Sequence, residues 1–113
     1  MNETKKRYLF DHFKFIKTEA IDLGDGWFGI VRTLCEKLKA LDIQSFEVIE
    51  IKEKDGDLCF YTKGVPERYR DNVKSLIEEA EIESKKTCEI CGQPGYPRKT
   101  RYVTFIACRE CIS

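Results

Sequence analysis

Six cysteines occur in the chain, and four of them form two close pairs near its C-terminal end. Two residues lie between Cys88 and Cys91, two lie between Cys108 and Cys111, and sixteen lie between the pairs. This spacing is typical of a site in which four thiolates bind one zinc ion in a tetrahedral shell. Because that shell is closed to water and substrate, the motif predicts a structural zinc site and not a catalytic metal.

Two other interpretations of the cysteine pairs stay open. Disulfide bonds need an oxidising compartment, but no sustained apolar stretch follows the charged start of the chain, so we expect a cytoplasmic protein in a reducing environment. A redox Cys-x-x-Cys motif is typical where a strand enters a helix, whereas Cys88 follows a predicted helix. Cys35 and Cys59 lie on apolar positions of predicted elements, so we expect both to be small buried side chains.

The segment between the two pairs combines basic and aromatic side chains, which are Tyr96, Arg98, Lys99, Arg101 and Tyr102, with Arg109 nearby. Such a group can grip phosphates and stack on a base, or it can contact an acidic protein surface. An ordinary solvated loop is the third interpretation.

Charge favours a protein partner over nucleic acid. The chain has 20 basic and 20 acidic residues. Residues 87–113 carry four basic and two acidic residues, and zinc with four thiolates would cancel that excess. Binding to the phosphate backbone of a nucleic acid requires a larger positive potential. We therefore expect a zinc-stabilised, non-catalytic protein that recognises a protein partner. Nucleic-acid binding, or sequestration of a small anionic nucleotide, is the alternative.

The sequence offers no convincing catalytic residue. His12 is the single histidine and has no candidate nucleophile beside it. Residues 24–29 match the dinucleotide fingerprint G-x-G-x-x-G, but the elements after it predict an antiparallel hairpin and not a βαβ unit. We interpret Gly24 and Gly26 as turn residues before a helix. The chain also lacks an apolar run that could span a membrane.

The fold class predicted is α+β, with two amphipathic helices packed on a β-hairpin and a C-terminal zinc ribbon. Helical periodicity covers residues 26–41, with Asp25 as the N-cap, and residues 66–86, with Pro66 at the first helical position. Residues 46–63 read as a hairpin about Asp55-Gly56. We expect residues 1–86 to form one domain and 87–113 to form a ribbon docked on the second helix.

Two regions near the N-terminus leave choices open. Residues 8–23 lack one clean period, although 12–17 alternate well enough for a short strand, and residues 1–23 receive no role. Trp27 and Phe28 are adjacent and cannot both face one core direction. Burial of both rings between helix, hairpin and ribbon is the favoured interpretation. Trp27 is kept as a candidate binding residue should its ring be exposed.

Three stretches together resemble a family of small, mostly uncharacterised bacterial and phage proteins. They are Gly26-Trp27-Phe28 at a helix start, the hairpin stretch from Ile51 to Tyr61, and the stretch from Thr87 to Gly92. The resemblance covers about residues 24–112. It implies a bacterial or phage cytosolic setting, in which the partner of a phage protein would be a host or defence component, and it implies no activity.

Overall fold

The computed structural model describes residues 1–112, so Ser113 of the predicted ribbon lies outside the described residues. The chain begins with helix α1 (Glu3–His12), whose N-cap Asn2 accepts a hydrogen bond from the Lys5 amide through its side-chain oxygen. The strand predicted over 12–17 is therefore wrong at its start, because His12 closes this helix. Only Ile16 is extended beside the sheet, in a single bridge to Val48.

Two longer helices follow along the chain, and both contribute buried side chains to the core. Helix α2 (Phe28–Ala40) follows a 3-10 turn (Asp25–Trp27), and helix α3 (Arg70–Ser84) follows a 3-10 turn (Glu67–Tyr69). Both predicted helices therefore exist, but their α-helical parts are shorter than the predicted ranges 26–41 and 66–86.

The predicted roles of Asp25 and Pro66 need correction. Asp25 caps no helix, because its carboxylate accepts hydrogen bonds from the amide and side chain of Asn2. Pro66 is the N-cap of the 3-10 turn that precedes α3 and not the first residue of that helix.

A three-stranded sheet lies beside the helices in the order β1-β2-β3. The two-residue strand β1 (Ile21–Asp22) is parallel to β2 (Glu47–Lys54), and β2 is antiparallel to β3 (Asp57–Lys63). Asp55 and Gly56 join β2 to β3 with φ values of 50° and 84°, which is the geometry of the predicted tight turn. Both helices predicted to pack on the hairpin share one buried cluster with it.

The C-terminal segment forms a second, two-stranded sheet. Strand β4 (Tyr96–Lys99) is antiparallel to β5 (Thr104–Ala107), and the short helix α4 (Arg109–Ile112) follows. We call residues 87–112 the ribbon. Ile106 of the ribbon is 2% exposed and belongs to the same buried cluster as the helices and the larger sheet. The ribbon is therefore docked on the rest of the molecule, and the fold is α+β as predicted.

Membrane-spanning structure is not found among the helices. Within residues 1–112, every helix is too short or too polar to cross a bilayer.

Candidate metal centre and the ribbon that it holds

The four paired cysteines converge on one point. The sulfur atoms of Cys88, Cys91, Cys108 and Cys111 all lie within 4.8 Å of one another, and Cys91 Sγ is 3.6 Å from Cys108 Sγ. Four sulfurs at about 2.3 Å from a central zinc ion would be about 3.8 Å apart. A disulfide would need about 2.05 Å, and all six cysteines are free thiols. The arrangement therefore fits a tetrahedral metal site of the kind that zinc prefers.

The first cysteine pair lies in a tight turn that we call the first knuckle (residues 88–92). The Gly92 amide donates to the Cys88 carbonyl at 3.0 Å, and the Cys88 amide donates to the Gln93 carbonyl at 2.8 Å. Gly92 has a φ of 84°, which L side chains rarely adopt, so this position of the turn has a clear steric reason to be glycine.

The second cysteine pair uses different local structure. Cys108 directly follows β5, and Cys111 lies within α4. The Cys111 amide donates to Cys108 Sγ at 3.4 Å. A helical turn thus replaces the glycine turn of the first knuckle, which explains why no glycine follows Cys111. This strand-to-helix junction is also where a redox pair would be expected. Because both thiols face those of the first pair, the metal interpretation is favoured over the redox one.

The thiols of the cluster influence one another strongly. Burial raises the pKa of Cys88, but hydrogen bonds from the amides of Cys91, Cys108 and Ile90 outweigh it and lower that pKa to about 6. The pKa of Cys111 is raised, chiefly by hydrogen bonding with Cys108 and Cys91. Four thiolates cannot accumulate at this distance without a cation, so a metal ion bound here would displace protons from the thiols.

Two glycines before α2 allow the first knuckle to dock. A Cβ atom at Gly24 would lie 2.1 Å from the Glu89 carbonyl oxygen, and one at Gly26 would lie 2.0 Å from the Cys88 carbonyl oxygen. The Gly26 amide also donates to the Glu89 carbonyl at 2.8 Å. The glycine-rich loop therefore exists for close main-chain packing, as no side chain would fit there.

Trp27 and Glu89 complete the attachment of the first knuckle. The Trp27 indole Nε1 donates to the Thr87 carbonyl at 2.8 Å. The Glu89 amide donates to the Ile106 carbonyl at 2.9 Å, and the Ile106 amide donates to the Glu89 carboxylate at 2.6 Å. Burial raises the pKa of the Glu89 carboxyl, and the hydrogen bond from Ile106 opposes that shift. The knuckle is thus tied both to the start of α2 and to strand β5.

Individual residues agree with their predicted settings in some cases and differ in others. Trp27 is fully buried, so its ring offers nothing to a partner, while the adjacent Phe28 is half-buried against Tyr8. Cys35 is buried as expected, but Cys59 is half-exposed. The ring of His12 stacks on Tyr8, and its Nδ1 donates to the Tyr8 carbonyl at 2.8 Å. This contact gives His12 a structural role at the end of α1.

The predicted basic and aromatic residues lie on the hairpin of the ribbon, except Arg109, which begins the short helix α4 directly after it. We call this surface the ribbon face; its members are Tyr96, Arg98, Lys99, Arg101, Tyr102 and Arg109. Tyr102 is 84% exposed and Tyr96 is 62% exposed. The Arg98 guanidinium lies 5.5 Å from the centre of the Tyr96 ring, and its Nε donates to the Ala107 carbonyl at 3.2 Å. Arg98 is therefore held in place while the tip residues project into solvent.

The hairpin tip has a defined shape. The Thr100 side-chain oxygen accepts hydrogen bonds from the amides of Tyr102 and Val103, at 3.3 Å and 3.1 Å. The Thr100 amide donates to the Val103 carbonyl at 2.9 Å. Val103 is 50% exposed, which sequence inspection did not single out because it lies in a β-prone run. An apolar side chain is thus exposed next to the ribbon face, although it is not one of its defining residues.

A shallow cleft of about 760 Å³ connects the ribbon face to the metal centre. Its lining includes Tyr96, Arg98 and Arg109 together with Cys91, the most exposed of the four cysteines. A partner seated on the ribbon face would therefore lie next to the metal-binding sulfurs.

Comparison with known proteins gives no relative. No protein-family model matches the chain, and neither curated proteins nor solved structures show a significant match.

Proposed function

We propose that this chain is a non-catalytic binding protein in which a zinc ion fixes the ribbon so that its face can recognise an acidic protein surface. One observation carries the proposal. The hairpin of residues 96–107 has three basic residues and no acidic residue, and its tip exposes Tyr102 and Val103. Exposed aromatic and apolar groups beside arginine are typical of protein interfaces.

Zinc would have a structural role and no catalytic one. The four cysteines supply a complete thiolate shell, so no ligand position is left for a substrate. Binding the ion would close the loop from Cys88 to Cys111 and so reduce the freedom of the ribbon. A rigid ribbon loses less conformational entropy on association, which favours binding of a partner.

Nucleic-acid binding is the second candidate, because an arginine beside an exposed tyrosine ring, as Arg98 is beside Tyr96, is typical of surfaces on which bases stack. Charge disfavours nucleic-acid binding relative to a protein partner. The zinc-loaded cysteine shell is anionic and lies beside the ribbon face, so it lowers the local positive potential that phosphates require. A small anionic nucleotide in the cleft above Cys91 is a weaker variant of the same candidate.

The test uses the zinc-loaded full chain in lysate of the cell that naturally makes it. A photo-reactive amino acid at Tyr102 is expected to cross-link to one protein in stoichiometric yield. The same group at Ile49, which is 43% exposed on the larger sheet, is the matched control. The double variant K99E/R101E is expected to abolish the Tyr102 cross-link, and K14E/K17E is expected to leave it unchanged.

The alternatives give different results in the same experiment. A cross-link to nucleic acid that disappears with nuclease, together with retardation of labelled strands at low salt, would replace the protein proposal by the second candidate. A Tyr102 signal equal to the Ile49 signal would overturn both.

A further inference from the structure

Strand β3 lies at the edge of the larger sheet. Within residues 1–112 it pairs only with β2. The strand is regular over its seven residues, because the bulge in this hairpin falls on β2 at Ile49. A regular edge strand of this length is a template for pairing with another chain. The opposite edge strand, β1, has two residues and offers no such template.

The turn before β3 determines which of its main-chain groups are free. In a two-residue turn with positive φ at both positions, the flanking residues Lys54 and Asp57 exchange hydrogen bonds. Alternation along an antiparallel pair then directs the amides and carbonyls of Leu58, Phe60 and Thr62 away from β2. These groups lie along the outer edge of the sheet.

A groove of about 540 Å³ follows this edge. One wall is the strand from Asp57 to Tyr61. The other is a face of α3 with Glu78, Glu81 and Ile82, together with Lys85 at the C-cap of that helix. Tyr61 is 49% exposed and Ile82 is 55% exposed. An extended segment placed in the groove would therefore gain main-chain hydrogen bonds from the strand and apolar contact from both walls.

We propose that the occupant is β3 of a second copy of this chain, paired antiparallel about Phe60. In that register Phe60 lies opposite Phe60 of the second copy. Leu58 lies opposite Thr62 of the second copy, and Thr62 lies opposite its Leu58. Each of these pairs exchanges two hydrogen bonds. The two three-stranded sheets then form one continuous six-stranded sheet across a two-fold axis, and both copies use the same surface at the interface.

Charge complementarity supports a second copy as the occupant. The register about Phe60 places Asp57 opposite Lys63 of the second copy, and the symmetry repeats this pair at the other end of the strand. Both side chains are exposed in the single chain. Asp57 also accepts from Lys85 at 2.9 Å, so its carboxylate would be shared between two cations. A one-residue shift of the register would separate Asp57 from Lys63 and misalign the hydrogen-bonding groups.

The test measures self-association of the zinc-loaded full chain by sedimentation velocity up to millimolar concentration. A reversible dimer is expected. Each single variant, K63E and D57K, replaces two attractions by two repulsions and is expected to weaken the dimer roughly tenfold. The double variant D57K/K63E restores opposite charges and is expected to recover most of the affinity. K14E, a reversal near the other edge of the sheet, is expected to have no effect.

Three results would overturn the proposal. They are a monomer at every concentration, a dimer that K63E leaves unchanged, and a dimer that the double variant fails to recover. The first would leave the edge to an extended segment of a different protein. Circular dichroism of each variant establishes that the monomer is folded. The ribbon-face variant K99E/R101E is expected to dimerise normally, so failure of this proposal is distinguishable from failure of the proposed function.

Discussion

The Cα atom of Gly26 lies so close to the main chain of Cys88 that a Cβ atom at position 26 would be 2.0 Å from the Cys88 carbonyl oxygen. The two residues are far apart in sequence, yet this contact joins the start of α2 to the first cysteine of the candidate metal centre. A backbone carbonyl that belongs to a tight turn cannot move away from an added methyl group without disturbing the knuckle. The glycine therefore connects helix packing to the cysteine cluster.

We expect Gly26→Ala to lower the free energy of unfolding by about 1–3 kcal/mol, because the methyl group overpacks the contact with Cys88. Zinc affinity should fall as well. The matched control is Gly29→Ala in the first turn of α2, where an added Cβ has no neighbour within 4 Å. That change should raise the free energy of unfolding by about 0.5–1 kcal/mol. Urea titration of both variants checks the pair, and equal effects would contradict the packing argument.

Elements with strong local patterns could be predicted from the sequence. The stripe on α2 and the Asp55-Gly56 turn are local signals, since every residue that determines them lies within one helix or hairpin. Cysteine spacing likewise predicts a four-sulfur cluster, because each pair is held by its own short turn. These predictions were confirmed by the described fold.

Other features depend on contacts between distant parts of the chain. Helix α1 was missed because Leu9 is its single buried residue, so no apolar stripe reveals it. Strand β1 has two residues and exists only through pairing with β2. The docking of Gly24 and Gly26 under the first knuckle was also missed, since no local pattern distinguishes a glycine needed for close packing from one needed for a turn.

Trp27 should report on the metal centre through its fluorescence. It is the single tryptophan, it is fully buried, and its indole donates to Thr87 next to the first ligand. Removing zinc with a chelator is expected to loosen the ribbon and shift the emission to longer wavelength as water reaches the indole. Elemental analysis before treatment should find about one zinc ion per chain. Complete loss of zinc with unchanged emission would mean that the ribbon keeps its structure without metal.

Replacing Trp27 by phenylalanine should destabilise the protein beyond the loss of ring volume. The change leaves the Thr87 carbonyl without its indole donor, at a cost of about 1–3 kcal/mol. Tyr102→Phe is the control, since it removes a polar group from a side chain that is 84% exposed and should leave the free energy of unfolding unchanged. Chemical denaturation followed by circular dichroism measures both. If Trp27→Phe unfolds at the same denaturant concentration as the wild type, the hydrogen bond contributes nothing.

Zinc affinity should fall as the pH is lowered, because protons compete with the metal for the four sulfurs. Without metal, Cys88 has a pKa of about 6, while the pKa values of Cys91 and Cys111 are raised above that of an ordinary thiol. At pH 7.5 Cys88 is therefore already ionised, and the other two must lose their protons when zinc binds. Calorimetry in buffers of different ionisation enthalpy should detect release of roughly two or more protons per ion. Below pH 6 Cys88 is protonated as well, so zinc must displace one more proton, and the zinc affinity should fall more steeply with pH. Binding heats that are independent of the buffer would show that the thiols are not the ligands.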